Sequence, residues 1–87
     1  MAWTIELDDG ARRAFRKIAR EQADRITRYL EELTTLDDPR QRGKALTGSL
    51  KGLWRYRVGD YRIVVHISDE RLVVLVLTLA HRREVYC

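Results

Sequence analysis

The C-terminal segment concentrates side chains that can move protons and hold negative charge. Within six residues, His81-Arg82-Arg83-Glu84-Val85-Tyr86 supplies an imidazole that titrates near neutrality, two guanidinium groups and a phenol. Metal-free cleavage of RNA at its own 2′-hydroxyl needs groups of these kinds. One group removes the 2′ proton, cations stabilise the phosphorane, and another group protonates the 5′ oxygen. His81, Arg82 and Tyr86 are therefore candidate catalytic residues, and Arg83 is a candidate phosphate-binding residue.

The positive charge of the chain is concentrated in its middle third. The 87 residues include 17 Lys plus Arg and 13 Asp plus Glu, which gives a net charge of +4. Seven of the basic residues fall within residues 40–66, where Asp60 is the single acid. Such clustering indicates a polyanionic partner, and a basic surface without a specific ligand is the alternative. Lys44 and Lys51 lie in this segment as candidate phosphate-binding residues.

The N-terminal part of the chain is predicted to form a short strand followed by a helical region. Residues 1–7 alternate apolar and polar side chains, which predicts a strand, and Asp8 and Asp9 then supply a helix N-cap. Apolar residues recur every three or four positions over residues 11–36, as one long helix or as two helices with a break near residues 20–22. Asp37-Asp38-Pro39 ends the helical region, because proline cannot continue a helix.

The remainder of the chain has the period of β-strands. Strands are predicted at residues 53–58 and 61–68 around a Gly59-Asp60 turn, at residues 72–80, and at an edge over residues 84–86. Residues 72–80 are almost continuously apolar, as in a strand at the centre of a sheet. The prediction is one α+β domain over residues 1–87. Two N-terminal helices pack on an antiparallel sheet made of the short first strand and a three-strand meander.

Strand alternation places three arginines together. Arg55 and Arg57 share one face of their strand, and a two-residue turn puts Arg57 opposite Arg62 and Arg55 opposite Val64. Like charges directly opposite each other destabilise a sheet, so this arrangement indicates a bound anion. The alternative is that these arginines pair with helix carboxylates such as Glu31 and Glu32. Arg55, Arg57 and Arg62 are candidate catalytic residues that hold charge on phosphate.

Several other classes of protein are excluded. A single cysteine at the C-terminus cannot form an internal disulfide, and no His/Cys/Asp/Glu spacing matches a metal site. No glycine-rich phosphate loop precedes a helix, so no metal or cofactor is expected. No segment approaches the length of a membrane span and no signal peptide is apparent, so we expect a cytoplasmic protein with no membrane partner.

The chain resembles the RelE-type toxins of the RelE/ParE superfamily, from bacterial type II toxin–antitoxin modules, in two motifs and in the spacing between them. The motifs are the Gly59-Asp60-Tyr61-Arg62 hairpin and the C-terminal His81-Arg82-Arg83-Glu84-Val85-Tyr86 segment, and the resemblance spans essentially the whole chain. It implies a ribosome-dependent endoribonuclease that cuts mRNA in the ribosomal A site and thereby inhibits translation. It also implies a cognate antitoxin partner, with operator DNA bound only indirectly through the antitoxin complex.

The resemblance assigns roles to individual residues. The basic pair of the second strand falls on Arg55 and Arg57, the returning-strand arginine on Arg62, and the C-terminal arginine and tyrosine on Arg82 and Tyr86. Relatives often carry lysine at the first two positions, and arginine cannot replace lysine as a base. The base is then His81, Tyr86 or a group of the substrate. A ParE-like DNA gyrase inhibitor without nuclease activity is the alternative function.

Overall fold

The computed structural model describes residues 3–81 of the chain. The elements, in chain order, are β1 (Thr4–Leu7), α1 (Asp9–Lys17), α2 (Arg20–Leu33), a 3₁₀ helix (Pro39–Gln41), β2 (Lys44–Ala45), a second 3₁₀ helix (Gly48–Leu50), β3 (Trp54–Val58), β4 (Tyr61–Ser68) and β5 (Val73–His81). The predicted edge strand at residues 84–86 lies outside the described residues. Within residues 3–81, no helix is both long enough and apolar enough to cross a membrane.

The helical region is two helices, the second of the two alternatives. Asp8 is the N-cap of α1, and its carboxylate accepts a hydrogen bond from the backbone N–H of Asp9. The chain leaves helical geometry at Ile18 and Ala19, whose ψ angles are 159° and 144°. The break therefore begins slightly before the predicted residues 20–22. Neither glycine nor proline marks it, so the exact position could not be read from residue type.

The sheet has five strands in the order β1-β5-β4-β3-β2. The α+β class and the β3–β4–β5 meander are confirmed, and β5 lies between β1 and β4 as an interior strand. Two details of the prediction were wrong. First, β1 runs parallel to β5, so the sheet is mixed rather than antiparallel. Second, Lys44 and Ala45 add a short strand beside β3. The parallel pairing follows because the chain crosses over the sheet through α1 and α2 before β5 forms.

Both helices bury their apolar faces on the same side of the sheet. The core consists mainly of helix residues Ala11, Ile26, Leu30 and Leu33 packed against strand residues Tyr56, Ile63, Val65, Val74, Val76 and Leu79. Because side chains alternate along a strand, the residues between these core positions point to the other side of the sheet. We call that side the open face, and it carries the arginines of β3 and β4.

Candidate nucleic-acid interface

The β3–β4 hairpin brings three arginines to the open face. Arg57 pairs with Arg62 and Arg55 with Val64, in the register that the sequence predicts. Two of their neighbours along the strands, Tyr56 and Ile63, are fully buried in the core. Alternation then directs the three guanidinium groups away from the core, with about 7 Å of strand rise between Arg55 and Arg57.

Lys44 is a fourth cation on this face. It lies directly opposite Arg55 in the β2–β3 pairing, so the two side chains share a side of the sheet. Ion pairs within residues 3–81 involve Arg40, Arg42 and Arg71, and none of them engages Lys44, Arg55 or Arg57. The alternative pairing of these arginines with helix carboxylates is therefore not what the structure shows for Arg55 and Arg57.

Arg42 takes the helix carboxylate instead. Its Nη1 donates to Oε1 of Glu32 at 2.9 Å, and this hydrogen bond raises the pKa of Arg42 above its ordinary value. The same guanidinium lies over the ring of Tyr29, 5.5 Å from its centroid. Glu32 is thus compensated locally and does not neutralise the cations of the open face.

An open depression of about 270 Å³ lies where the open face meets the edge of β3. Tyr29, Gly43, Lys44, Arg55 and Arg57 line it, and we call it the edge depression. It exists because β2 ends after pairing with Trp54 and Arg55, which leaves the remainder of β3 as a sheet edge on this side. Gly43 lets the chain turn there with φ +80, a left-handed conformation that favours glycine.

Two hydrogen bonds, one partly buried and one buried, hold the segment before β2 against β3. The indole Nε1 of Trp54 donates to the carbonyl oxygen of Arg42 at 2.6 Å, and the Tyr56 hydroxyl donates to that of Pro39 at 2.6 Å. Tyr56 is fully buried, and its burial raises the pKa of the phenol above its ordinary value. These bonds fix the wall of the edge depression from which Lys44 projects.

Tyr29 forms the opposite wall of the edge depression, from α2. Its ring meets that of Tyr56 edge-on, with centroids 5.7 Å apart. Desolvation by burial raises the pKa of Tyr29, and the positive charge of Arg42 opposes that shift. The phenol therefore remains a neutral hydrogen-bond donor at physiological pH.

The structure does not bring His81 to the arginines. His81 pairs with Tyr61, and the two rings lie edge to face with centroids 5.4 Å apart. Tyr61 shares the face of Ile63, so His81 lies on the helix side of the sheet, whereas Arg62 lies on the open face. The cause is a register shift between Val64 and Val65, where β5 carries one extra residue and its alternation inverts.

The remaining predicted site residues do not all lie at the edge depression. Lys51 is exposed directly after the second 3₁₀ helix and does not line the edge depression. Arg82, Arg83 and Tyr86 lie outside the described residues. Lys44, Arg55, Arg57 and Arg62 are the predicted site residues that share the open face.

With this geometry established, comparison with known proteins identifies the family. Residues 5–86 match the profile of the family described as the ParE toxin of the type II toxin–antitoxin system parDE. The chain belongs to this toxin family. It is also 32% identical to Toxin RelG of Mycobacterium tuberculosis over 89 residues, which covers 99% of this chain and 98% of the relative.

Solved structures extend the relationship to RelE proteins. A chain of the M. tuberculosis toxin–antitoxin complex RelBE2 superposes on this chain with a TM-score of 0.84 at 28% identity. The superposition covers 94% of this chain and 93% of the chain in that complex. A doubly substituted mutant of E. coli toxin RelE in the free state superposes with a TM-score of 0.77 at 26% identity, over 99% and 92% of the two chains. The chain is thus a type II toxin of the RelE/ParE superfamily with a RelE-like fold.

Two residues of the toxin's edge depression were not predicted from sequence. Tyr29 belongs to the helical period of α2, and nothing local distinguishes it from a core aromatic. Gly43 stands among several connector glycines, and only its approach to β3 sets it apart. A Cβ at Gly43 would lie 2.3 Å from the carbonyl oxygen of Arg55, whereas one at Gly48 would meet nothing within 4 Å.

Proposed function

We propose that the toxin is a metal-independent endoribonuclease that cuts mRNA in the ribosomal A site and is neutralised by a cognate antitoxin. The observation that carries this proposal is the pairing of Arg57 with Arg62 on an open face, beside Lys44 and Arg55. Side chains of like charge that face each other across two strands destabilise the fold unless an anion lies between them. A phosphodiester is the anion that arginine pairs recognise by bidentate hydrogen bonds.

The proposed reaction needs only groups of the RNA and of the protein. The 2′-oxygen attacks the adjacent phosphorus as it loses its proton, the phosphorane forms, and the bond to the 5′ oxygen breaks as that oxygen gains a proton. Arg55, Arg57 and Arg62 hold the additional negative charge of the phosphorane. Tyr86 and Arg82, the remaining residues assigned by family resemblance, are proposed to move a proton and to hold charge. His81 is left out of this set because it lies on the helix side of the sheet.

Regulation by an antitoxin is proposed from the relatives. The M. tuberculosis relative with a TM-score of 0.84 was solved as a toxin–antitoxin complex. A protein that covers the open face would contact its cations and block access to the edge depression. Operator DNA would be contacted indirectly, through the antitoxin of such a complex.

A gyrase inhibitor without nuclease activity is the second candidate function. The family profile that matches residues 5–86 is described by its ParE toxins, which favours this alternative. A gyrase inhibitor needs no cluster of cations that stabilises a phosphorane. The two candidate functions therefore differ in whether the arginines of the open face act in catalysis.

The deciding experiment induces the toxin in a bacterium and follows message integrity and gyrase-linked DNA breaks separately. We expect translated messages to be cut, and Arg62→Ala and Arg82→Ala to reduce cutting by about 100-fold or more, the usual effect of removing one charge-stabilising group. Arg71→Ala is the matched control, because Arg71 is an exposed arginine that pairs with Glu6 of β1 at 3.3 Å, at the opposite edge of the sheet from β2 and β3. Intact messages with DNA breaks would refute the nuclease and support the gyrase inhibitor.

A further inference from the structure

Tyr29 separates two basic depressions at the edge of β3. One is the edge depression on the side of the open face. The other, of about 210 Å³, is lined by Arg25, Arg28, Tyr29, Glu32 and Val58, and we call it the helix depression. Because Tyr29 belongs to both, the two form one surface that passes from the sheet over the edge of β3 to α2.

The helix depression carries cations without carboxylate partners in the described part of the chain. Arg25 and Arg28 are exposed, and the ion pairs of residues 3–81 engage neither of them. Glu32, the one acid of the lining, is already bonded to Arg42 at 2.9 Å. Arg25 lies against the hairpin turn, since a Cβ at Gly59 would be 3.2 Å from its Nη1.

We propose that the two depressions form one groove for single-stranded RNA next to the scissile phosphate, with a base stacked on the face of the Tyr29 ring that Arg42 does not cover. The basic groove comprises Lys44, Arg55, Arg57, Tyr29, Arg25 and Arg28. An aromatic ring between cations is the arrangement by which proteins hold single strands, since the cations follow the phosphates and the ring accepts any base. An acidic peptide would use the same cations but would gain little from the ring. The choice of RNA as the ligand rests on the proposed nuclease function.

The size of the basic groove fits a few nucleotides. Each depression is smaller than the roughly 300 Å³ at which enclosed small-molecule sites begin, and both are open to solvent. A single nucleotide in each, joined over Tyr29, would place phosphates beside Lys44 and Arg57 at one end and Arg28 at the other. The strand would thus be held on both sides of the sheet edge, which fixes its direction at the open face.

The first test measures how RNA affinity depends on salt. The probe is a labelled 2′-O-methyl oligouridylate of about eight nucleotides, which binds but lacks the 2′-hydroxyl needed for cleavage. Loss of two phosphate contacts in Arg25→Ala/Arg28→Ala should reduce the slope of log K against log salt by about 1.4. The control, Arg13→Ala/Arg16→Ala, removes the same charge from exposed arginines of α1 and should leave the slope unchanged. An unchanged slope in the first pair, or equal changes in both pairs, would overturn the groove.

The second test isolates the ring of Tyr29. Tyr29→Leu should weaken binding of the same probe about five-fold or more, because stacking is lost, whereas Tyr29→Phe keeps the ring and should bind nearly as tightly as the wild type. Unfolding midpoints of both variants separate lost stacking from lost folding, since Tyr29 also packs on Tyr56. If Tyr29→Leu binds normally and a polyglutamate peptide displaces the probe, the groove serves an acidic segment and the RNA assignment is wrong.

Message cleavage by the same variants distinguishes the two proposals. If the variants change probe binding as expected but the wild-type protein cuts no message, the nuclease is refuted and the groove remains supported. Message cutting that persists while neither groove variant alters probe binding refutes the groove and leaves the nuclease supported.

Discussion

Replacement of Gly43 by alanine should damage the toxin far more than the same replacement at Gly48. Both residues have positive φ, +80 and +66, so both substitutions incur the cost of a left-handed backbone. They differ in surroundings. A Cβ at Gly43 would lie 2.3 Å from the carbonyl oxygen of Arg55, 2.7 Å from Nε1 of Trp54 and 2.8 Å from Cδ1 of Tyr56, whereas one at Gly48 meets nothing within 4 Å.

The magnitude follows from three contributions. Left-handed geometry costs about 1–2 kcal/mol at either position. At Gly43, relief of contact with a backbone oxygen requires residues 42–44 to move away from β3, and such overpacking costs about 1–3 kcal/mol. That movement also weakens the 2.6 Å hydrogen bond from Trp54 to the carbonyl of Arg42, worth about 1 kcal/mol. We expect the free energy of unfolding to fall by about 3–6 kcal/mol in Gly43→Ala and by about 1–2 kcal/mol in Gly48→Ala.

Urea unfolding followed by tryptophan fluorescence measures both variants, because Trp54 lies next to Gly43. In a chain of this length, each kcal/mol corresponds to about 4–8 °C in Tm, so thermal unfolding provides a second readout. Gly43→Ala should also weaken RNA binding, since Lys44 is displaced with the segment. Unfolding free energies of the two variants within about 0.5 kcal/mol of each other would refute the close approach of Gly43 to β3.

Two further predictions concern the buried phenol and the paired arginines. Tyr56→Phe leaves the Pro39 carbonyl without its 2.6 Å donor and should lower the unfolding free energy by about 1–2 kcal/mol, with Tyr61→Phe as the control. Burial raises the pKa of Tyr56, so the stabilisation that its neutral hydroxyl gives to the fold is complete below about pH 10 and is lost above it. The difference in unfolding free energy between the wild type and Tyr56→Phe should therefore narrow towards about pH 11. A difference that widens with pH would contradict this. Arg57→Gln should raise the unfolding free energy by about 0.5 kcal/mol at low salt, and less at high salt, because repulsion from Arg62 is removed, while RNA affinity falls. Arg13→Gln should give no such gain, and a loss of stability in Arg57→Gln would show that the pair is not repulsive.

The hairpin illustrates what the sequence alone could establish. The Gly59-Asp60 turn and the period of two in the flanking residues predict the pairing of Arg57 with Arg62 that the structure has. Turn length sets register, and register sets which side chains face each other. The helical period likewise predicted the buried faces of α1 and α2, because burial follows from a repeat of three or four residues.

Other features depended on contacts between distant parts of the chain. The parallel pairing of β1 with β5 joins residues nearly seventy positions apart, and no local pattern encodes its direction. The meeting of Tyr29 with Gly43 and Lys44 at the sheet edge arises only because β2 is short and α2 packs beside β3. Sequence patterns report the environment along one element, whereas this depression is formed by three.

The position of His81 depends both on the local sequence and on the pairing of β4 with β5. The sequence determined that an imidazole follows the predicted strand at residues 72–80 and that arginines gather on the open face. The tertiary structure decided that these groups do not meet, since one extra residue in β5 opposite Val64 and Val65 turns His81 to the helix side, against Tyr61. Strand alternation has a period of two, so a single inserted residue exchanges the faces of everything beyond it. Such an insertion is visible only once both strands are paired.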